Sequence, residues 1–130
     1  MAAGQLARQR KYRATAKGRA ADQRYERRFR ASVRGRFCAY RNNAKQRGLV
    51  FTLTIEQFTE FWRVPCAYCH APVALIGLDR VDNEQGYVHG NVVSCCAVCN
   101  YMKRGLTYAA FVAQCRRVVG VAEGESWTLL

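Results

Sequence analysis

The chain has 130 residues, with 21 Lys and Arg against 9 Asp and Glu and a formal net charge of +12. That length holds one compact domain and an arm but not two ordinary domains, and the charge points to polyanionic partners, nucleic acid first. Its longest apolar stretches, such as Val73 to Leu78 and Val118 to Val121, fall far short of the ~20 residues of a membrane span.

The positive charge sits at the N-terminal end. Residues 1–48 carry 15 Lys and Arg against two acids, net +13, whereas residues 49–130 carry 6 against 7, net −1. This division predicts a basic nucleic-acid-binding arm over 1–48 and a second domain over 49–130. The absence of acids before Asp22 also fits an organelle transit peptide. A repeat of period 17 argues against a leader: Tyr-Arg-Ala-Thr-Ala-Lys-Gly-Arg from Tyr12 aligns with Phe-Arg-Ala-Ser-Val-Arg-Gly-Arg from Phe29, and Arg24 falls opposite Arg41. Thr15 and Ser32 stand where N-caps belong, so two helices are predicted, about 16–30 and 33–46, the second closed by Gly48. Tyr25 and Phe29 form an i, i+4 apolar pair among arginines. Lys17, Arg19, Arg24, Arg27, Arg28, Arg34, Arg36 and Arg41 are the candidate phosphate contacts. Two other readings stay open: Arg34-Gly35-Arg36 entering a minor groove like an AT-hook, and a solvated, partly disordered tail.

Beyond the arm, Thr54 and Gln57 form a capping box at the start of a short helix whose apolar face is Ile55, Phe58, Phe61 and Trp62, ending before Pro65. Then comes the first of two C-x-x-C pairs, Cys66-Ala-Tyr-Cys69; the second is Cys96-Ala-Val-Cys99. With seven cysteines, an odd count, the pattern indicates a reducing compartment and metal rather than disulfides. Two such knuckles bring four thiolates to one tetrahedral zinc ion. Cys95 would make a C-x-x-x-C pair and is the poorer ligand; Cys38 and Cys115 read as small buried apolar residues. A metal would also stabilise a domain of only 82 residues, 49–130, near the size below which a core needs help.

The 26 residues between the knuckles exceed a simple zinc ribbon. An apolar run from Val73 to Leu78 ends at Asp79-Arg80, Asp82 to Gly86 is a turn cluster, and Asn91 to Ser94 restarts an extended pattern. This predicts a β-hairpin with a broad loop. Asp82 and Asn83 are read as shaping that turn. Cys96 to Arg104 reads as a short helix stopped at Gly105, giving the order strand, strand, helix. Thr107 caps a last helix with Phe111, Val112, Cys115, Val118 and Val119 on one core-facing stripe, ended by Gly120. A short tail containing Trp127 follows.

Cys-Ala-Tyr-Cys, Gly77-Leu-Asp-Arg-Val-Asp-Asn83, Gly86-Tyr87, Asn91-Val-Val93, Cys96-Ala-Val-Cys-Asn100 and Lys103 together resemble the HNH endonuclease family in its zinc-fastened, phage and intron-encoded style. The similarity extends back through Arg47 to Thr54 and Glu56 to Phe58 and forward to Leu106, Thr107 and Phe111, roughly residues 34–119. It implies an α+β fold, a small zinc-bound ββα-metal domain with flanking helices. It also implies hydrolysis of phosphodiester bonds, in double-stranded DNA or in RNA, with one catalytic Mg²⁺ or Mn²⁺.

By that pattern Asp79 and Asn100 would hold the catalytic cation, Asn91 would orient the loop by hydrogen bonds, and Lys103 would contact phosphate. The family's usual histidine base after the aspartate is replaced by Arg80, which stays protonated and suits a phosphate clamp or transition-state stabiliser. His89, and less favourably His70, are then the candidate bases. The second reading is a catalytically silent HNH-like zinc module that binds nucleic acid, for instance in a ribonucleoprotein particle. The expected location is intracellular and reducing, a phage-infected cytoplasm or an organelle matrix.

Overall fold

The computed structural model describes residues 2–124. Its elements are α1 (Ala2–Ala14), α2 (Ala16–Arg30), α3 (Val33–Gln46), α4 (Ile55–Thr59), β1 (Leu78–Arg80), β2 (Val92–Ser94), α5 (Ala97–Lys103) and α6 (Tyr108–Gly124). They form two compact units, residues 1–40 and 41–130, with the division inside α3 and ahead of Gly48.

In the first unit α2 begins where Thr15 predicts: the Thr15 hydroxyl accepts from the Gly18 amide at 3.0 Å and donates to the Tyr12 carbonyl at 2.7 Å. The second copy of the repeat does the same, with Ser32 accepting from Gly35 at 3.1 Å and donating to Phe29 at 2.7 Å. At both joints the glycine lies against the preceding carbonyl: a Cβ on Gly18 or Gly35 would stand 1.9 Å from the oxygen of Tyr12 or Phe29. The 17-residue repeat is therefore a repeated joint, aromatic–hydroxyl–glycine, that ends one helix and starts the next. Tyr25 and Phe29 stack with ring centroids 6.4 Å apart.

Three sequence expectations change here. Residues 2–14 form a third helix in addition to the two expected of this region, because Ala, Gln, Lys and Arg favour helix without leaving an apolar period. Arg34-Gly35-Arg36 lies within α3, so it lacks the extended backbone of an AT-hook. Cys38 is half-buried rather than buried.

In the second unit α3 closes as Gly48 predicts. Gly48 has φ 66°, its amide reaches Lys45 at 3.1 Å, and Leu49 reaches back to Ala44 at 2.8 Å, the paired bonds of a Schellman motif. The capping box at α4 is complete, Thr54 and Gln57 exchanging bonds of 3.2 and 2.9 Å. α4 stops at Thr59, and turns rather than helix lead to Pro65. β1 and β2 pair antiparallel with Leu78 opposite Ser94, Asp79 opposite Val93 and Arg80 opposite Val92. Leu53, Phe58, Cys66, Ile76, Leu78, Val92, Cys95, Cys99 and Phe111 form the buried core.

α6 departs from expectation. It runs through Gly120 to Gly124, since one glycine costs a helix interior only about 1 kcal/mol relative to alanine. Of its stripe only Phe111 is buried; Val112 and Cys115 are half-buried, and Val118 and Val119 are more than half exposed, Val119 lining an open apolar groove with Cys69, Val98 and Met102. Trp127 lies outside the described residues. Among the described residues no helix is long and apolar enough to cross a membrane.

Candidate functional site

Two centres lie on the ββα unit. The first is the cluster of Cys66, Cys69, Cys96 and Cys99, whose sulfurs all lie within 4.8 Å of one another. A tetrahedral ion with metal–sulfur bonds of about 2.3 Å needs sulfur–sulfur separations of about 3.8 Å. Cys69 and Cys96 stand 3.7 Å apart, so the four thiols fit one such ion, and zinc suits the donor set.

Local structure builds both knuckles. The first closes through His70 N–H to Cys66 C=O at 2.9 Å, with His70 at φ 58°, and is tied to β2 by Ala67 N–H to Ser94 C=O at 2.8 Å. In the second, Cys96 is the N-cap of α5 and its sulfur accepts from the Cys99 amide at 3.4 Å. Burial raises the Cys66 thiol, but amide bonds from Cys96, Cys69 and Tyr68 outweigh it and bring the group down to about 6. Burial pushes Cys99 upward. Cys95 is buried beside the cluster, its thiol donating to the Cys96 carbonyl at 3.3 Å, so Cys96 and not Cys95 joins the four, as the spacing predicts.

The second centre is a groove of about 610 Å³ lined by Asp79, Arg80, Asn100, Arg47, Arg104 and Tyr87, among others. β1 brings Asp79 to it and α5 brings Asn100. The Asn100 amide nitrogen donates to the Leu78 carbonyl at 3.3 Å, which fixes the side chain and leaves its oxygen to coordinate a ligand. Asp79 is buried; its Oδ2 accepts from the Tyr68 hydroxyl at 2.6 Å and from Lys103 Nζ at 3.0 Å. Burial, then the bond to Asp79, pushes the Tyr68 hydroxyl far above its ordinary range. Both donors hold the same oxygen of a residue that lines the groove.

Lys103 is thus a correction to the expected phosphate contact. It has no exposed surface and spends its ammonium on Asp79 and on the Arg80 carbonyl, the latter at 3.0 Å. Three residues past Asn100, it faces inward against β1 instead of outward.

Asn91 is buried and holds the loop by three bonds: its Oδ1 accepts from the Asp82 amide at 2.9 Å, and its nitrogen donates to Asp82 C=O at 3.0 Å and Gly86 C=O at 2.9 Å. Arg80 holds the same loop, one guanidinium nitrogen donating at 2.9 Å to both Asn83 C=O and Gln85 C=O, with the group 5.7 Å from the Tyr87 ring centre. Asp82 accepts from the Glu84 amide at 2.9 Å and the Gln85 side chain at 3.0 Å, bonds that hold its carboxyl below the ordinary range and make it a turn residue.

His89 and His70 are exposed and neither lines the groove, so the structure does not bring the candidate bases to Asp79. Sequence reasoning assigned no groove role to Arg47 and Arg104. Both end helices, after α3 and α5, and their clustering arises only when those ends meet the hairpin. In the arm, Lys17, Arg19, Arg24, Arg27, Arg28, Arg34, Arg36 and Arg41 are all exposed.

A scan against models of known protein families finds no match. An uncharacterized protein, R423 of Acanthamoeba polyphaga mimivirus, is 33% identical over 85 residues, which are 64% of this chain and 16% of that protein. The chain therefore spans a small part of that relative's length. Among solved structures, the rare-cutting HNH restriction endonuclease PacI superposes with a TM-score of 0.51 at 19% identity, over 69% of this chain and 82% of its own. The likeness is one of fold. The expected α+β architecture, an HNH-like ββα unit beside four cysteines placed to hold a metal ion, is the one observed.

Proposed function

We propose that this chain is an HNH-type endonuclease that hydrolyses phosphodiester bonds in DNA, fastened by a zinc ion at Cys66, Cys69, Cys96 and Cys99. The observation that carries the reading is that Asp79 and Asn100, from different elements, meet in one groove rimmed by Arg47, Arg80 and Arg104. Hard oxygen donors inside a cationic groove suit a divalent cation shared with a phosphate. The DNA-cutting activity of the similarly folded PacI supports this assignment.

Asp79 Oδ1 and Asn100 Oδ1 would hold Mg²⁺ or Mn²⁺. Such a cation supplies charge stabilisation for the phosphate and the departing oxygen. Because Lys103 already balances Asp79 and three arginines rim the groove, its residues leave a net positive charge, and the substrate phosphate would have to supply the negative ligands for the cation. Arg47 and Arg104 bind the flanking phosphates. Arg80 holds the hairpin loop and adds positive charge beside Asp79; it removes no proton. The exposed arginines of the arm hold DNA by its phosphates, which makes binding steeply salt-dependent. Cysteines used as metal ligands suit a reducing compartment.

The test is cleavage of supercoiled plasmid with Mg²⁺ or Mn²⁺ at low salt, comparing the wild type with Asp79→Ala. Nicking or linearisation that vanishes in a variant that keeps its zinc and its DNA binding is the expected result. A zinc-loaded wild type that binds DNA or RNA yet cuts neither overturns the nuclease reading in favour of a silent binding module.

A further inference from the structure

Asp79 is the point on which both cysteine knuckles converge. From the first, Cys66-Ala-Tyr68-Cys69, the Tyr68 hydroxyl reaches Asp79 Oδ2 at 2.6 Å. From the second, α5 starts at its cap Cys96, carries Cys99 in its first turn and ends at Lys103, whose ammonium reaches the same oxygen at 3.0 Å. Lys103 also holds the Arg80 carbonyl at 3.0 Å, which pins the end of β1 to the end of α5. The Tyr68 ring is itself held, stacked on Tyr108 and edge-on to Phe111 with centroids 5.7 Å away in each case.

An aspartate carboxylate rotates easily about its last torsion, which has broad, roughly two-fold preferences. Two donors on one oxygen, arriving from separately anchored elements, remove that freedom and decide which oxygen meets the groove. The Tyr68 hydroxyl spends its proton on a carboxylate oxygen, so Tyr68 acts as a donor to Asp79.

We propose that Tyr68 is a positioning residue. Together with Lys103 it clamps Asp79 through Oδ2 and presents Oδ1 to the divalent cation, so that folding of the four-cysteine site sets the geometry of the cation site. The proposal rests on the reading of Asp79 and Asn100 as cation ligands.

The experiment uses the zinc-loaded full chain as wild type, Tyr68→Phe, Lys103→Arg and Asp79→Asn. Zinc per chain is measured directly, Mn²⁺ binding by electron paramagnetic resonance, and plasmid cleavage by kcat and KM. Tyr68→Phe is expected to keep its zinc and its ring packing while its Mn²⁺ dissociation constant rises roughly tenfold, with kcat falling and KM for DNA unchanged. Lys103→Arg keeps the charge but not the single-point contact, and is expected to weaken Mn²⁺ while keeping zinc. It supplies the readout at the same oxygen should Tyr68→Phe lose its fold. Wild-type Mn²⁺ affinity in a zinc-loaded Tyr68→Phe or Lys103→Arg, with binding lost in Asp79→Asn, overturns the clamp alone. A wild type that binds no Mn²⁺, or an Asp79→Asn that binds it equally well, overturns the cation-site reading and the clamp with it.

Discussion

Gly35 packs against the carbonyl of Phe29 so closely that a Cβ there would stand 1.9 Å from the oxygen, and Gly18 repeats the relationship with Tyr12. Propensity alone says that alanine stabilises a helix position by about 1 kcal/mol over glycine. The joint reverses that sign. Gly35→Ala is expected to destabilise the arm by about 1–3 kcal/mol, the range of an overpacked site. Thermal unfolding followed by far-ultraviolet circular dichroism checks it; an arm that melts higher than wild type contradicts the joint.

Lys103 and Asp79 form an ion pair with almost no exposed surface, Lys103 at 0% and Asp79 at 6% of their side chains. Removing one partner leaves the other charge buried alone, which costs about 3–5 kcal/mol. Lys103→Met is therefore expected to lower the unfolding free energy by that amount in urea titration. A surface phosphate contact predicts instead unchanged stability and weaker DNA binding, so the two roles separate cleanly.

Stripping the metal with a chelator should unfold the second unit, because the four thiolates are assembled only in the folded chain. Cys96→Ser is expected to lose the ion and Cys95→Ser to keep it. Elemental analysis of the purified variants decides between the two adjacent cysteines.

His89 is exposed and away from the groove lining, so His89→Ala is expected to cut plasmid within about twofold of the wild type. Loss of cleavage with retained zinc and DNA binding would return it to the role of base.

Removing residues 1–40 takes away twelve Lys and Arg, all exposed where described. The truncated protein should bind duplex DNA more weakly, with a shallower dependence on salt, by about 0.9 in the log–log slope for each phosphate that the arm no longer neutralises. An unchanged slope on titration with NaCl assigns DNA binding to the second unit alone.

Much of this molecule is written in short-range patterns. Thr15, Ser32, Thr54 and Thr107 cap helices because a hydroxyl three residues ahead of an amide meets it within one turn, and Gly48 closes α3 because the left-handed backbone there suits a residue without a Cβ. The C-x-x-C spacing likewise makes each knuckle from one turn, and the hairpin between them follows from two extended runs around a turn cluster. These features need no knowledge of distant neighbours, so residue order alone determines them.

The inward-facing charges were decided by tertiary structure. Lys103 belongs to Asp79 because the hairpin and α5 meet; nothing in the local pattern distinguishes Lys103 from a solvent-facing lysine one turn past Asn100. The exposed valines of α6 show the converse, since periodicity marks an apolar face but cannot say whether another surface closes down on it. Burial depends on which surfaces meet, and that is a property of the assembled chain.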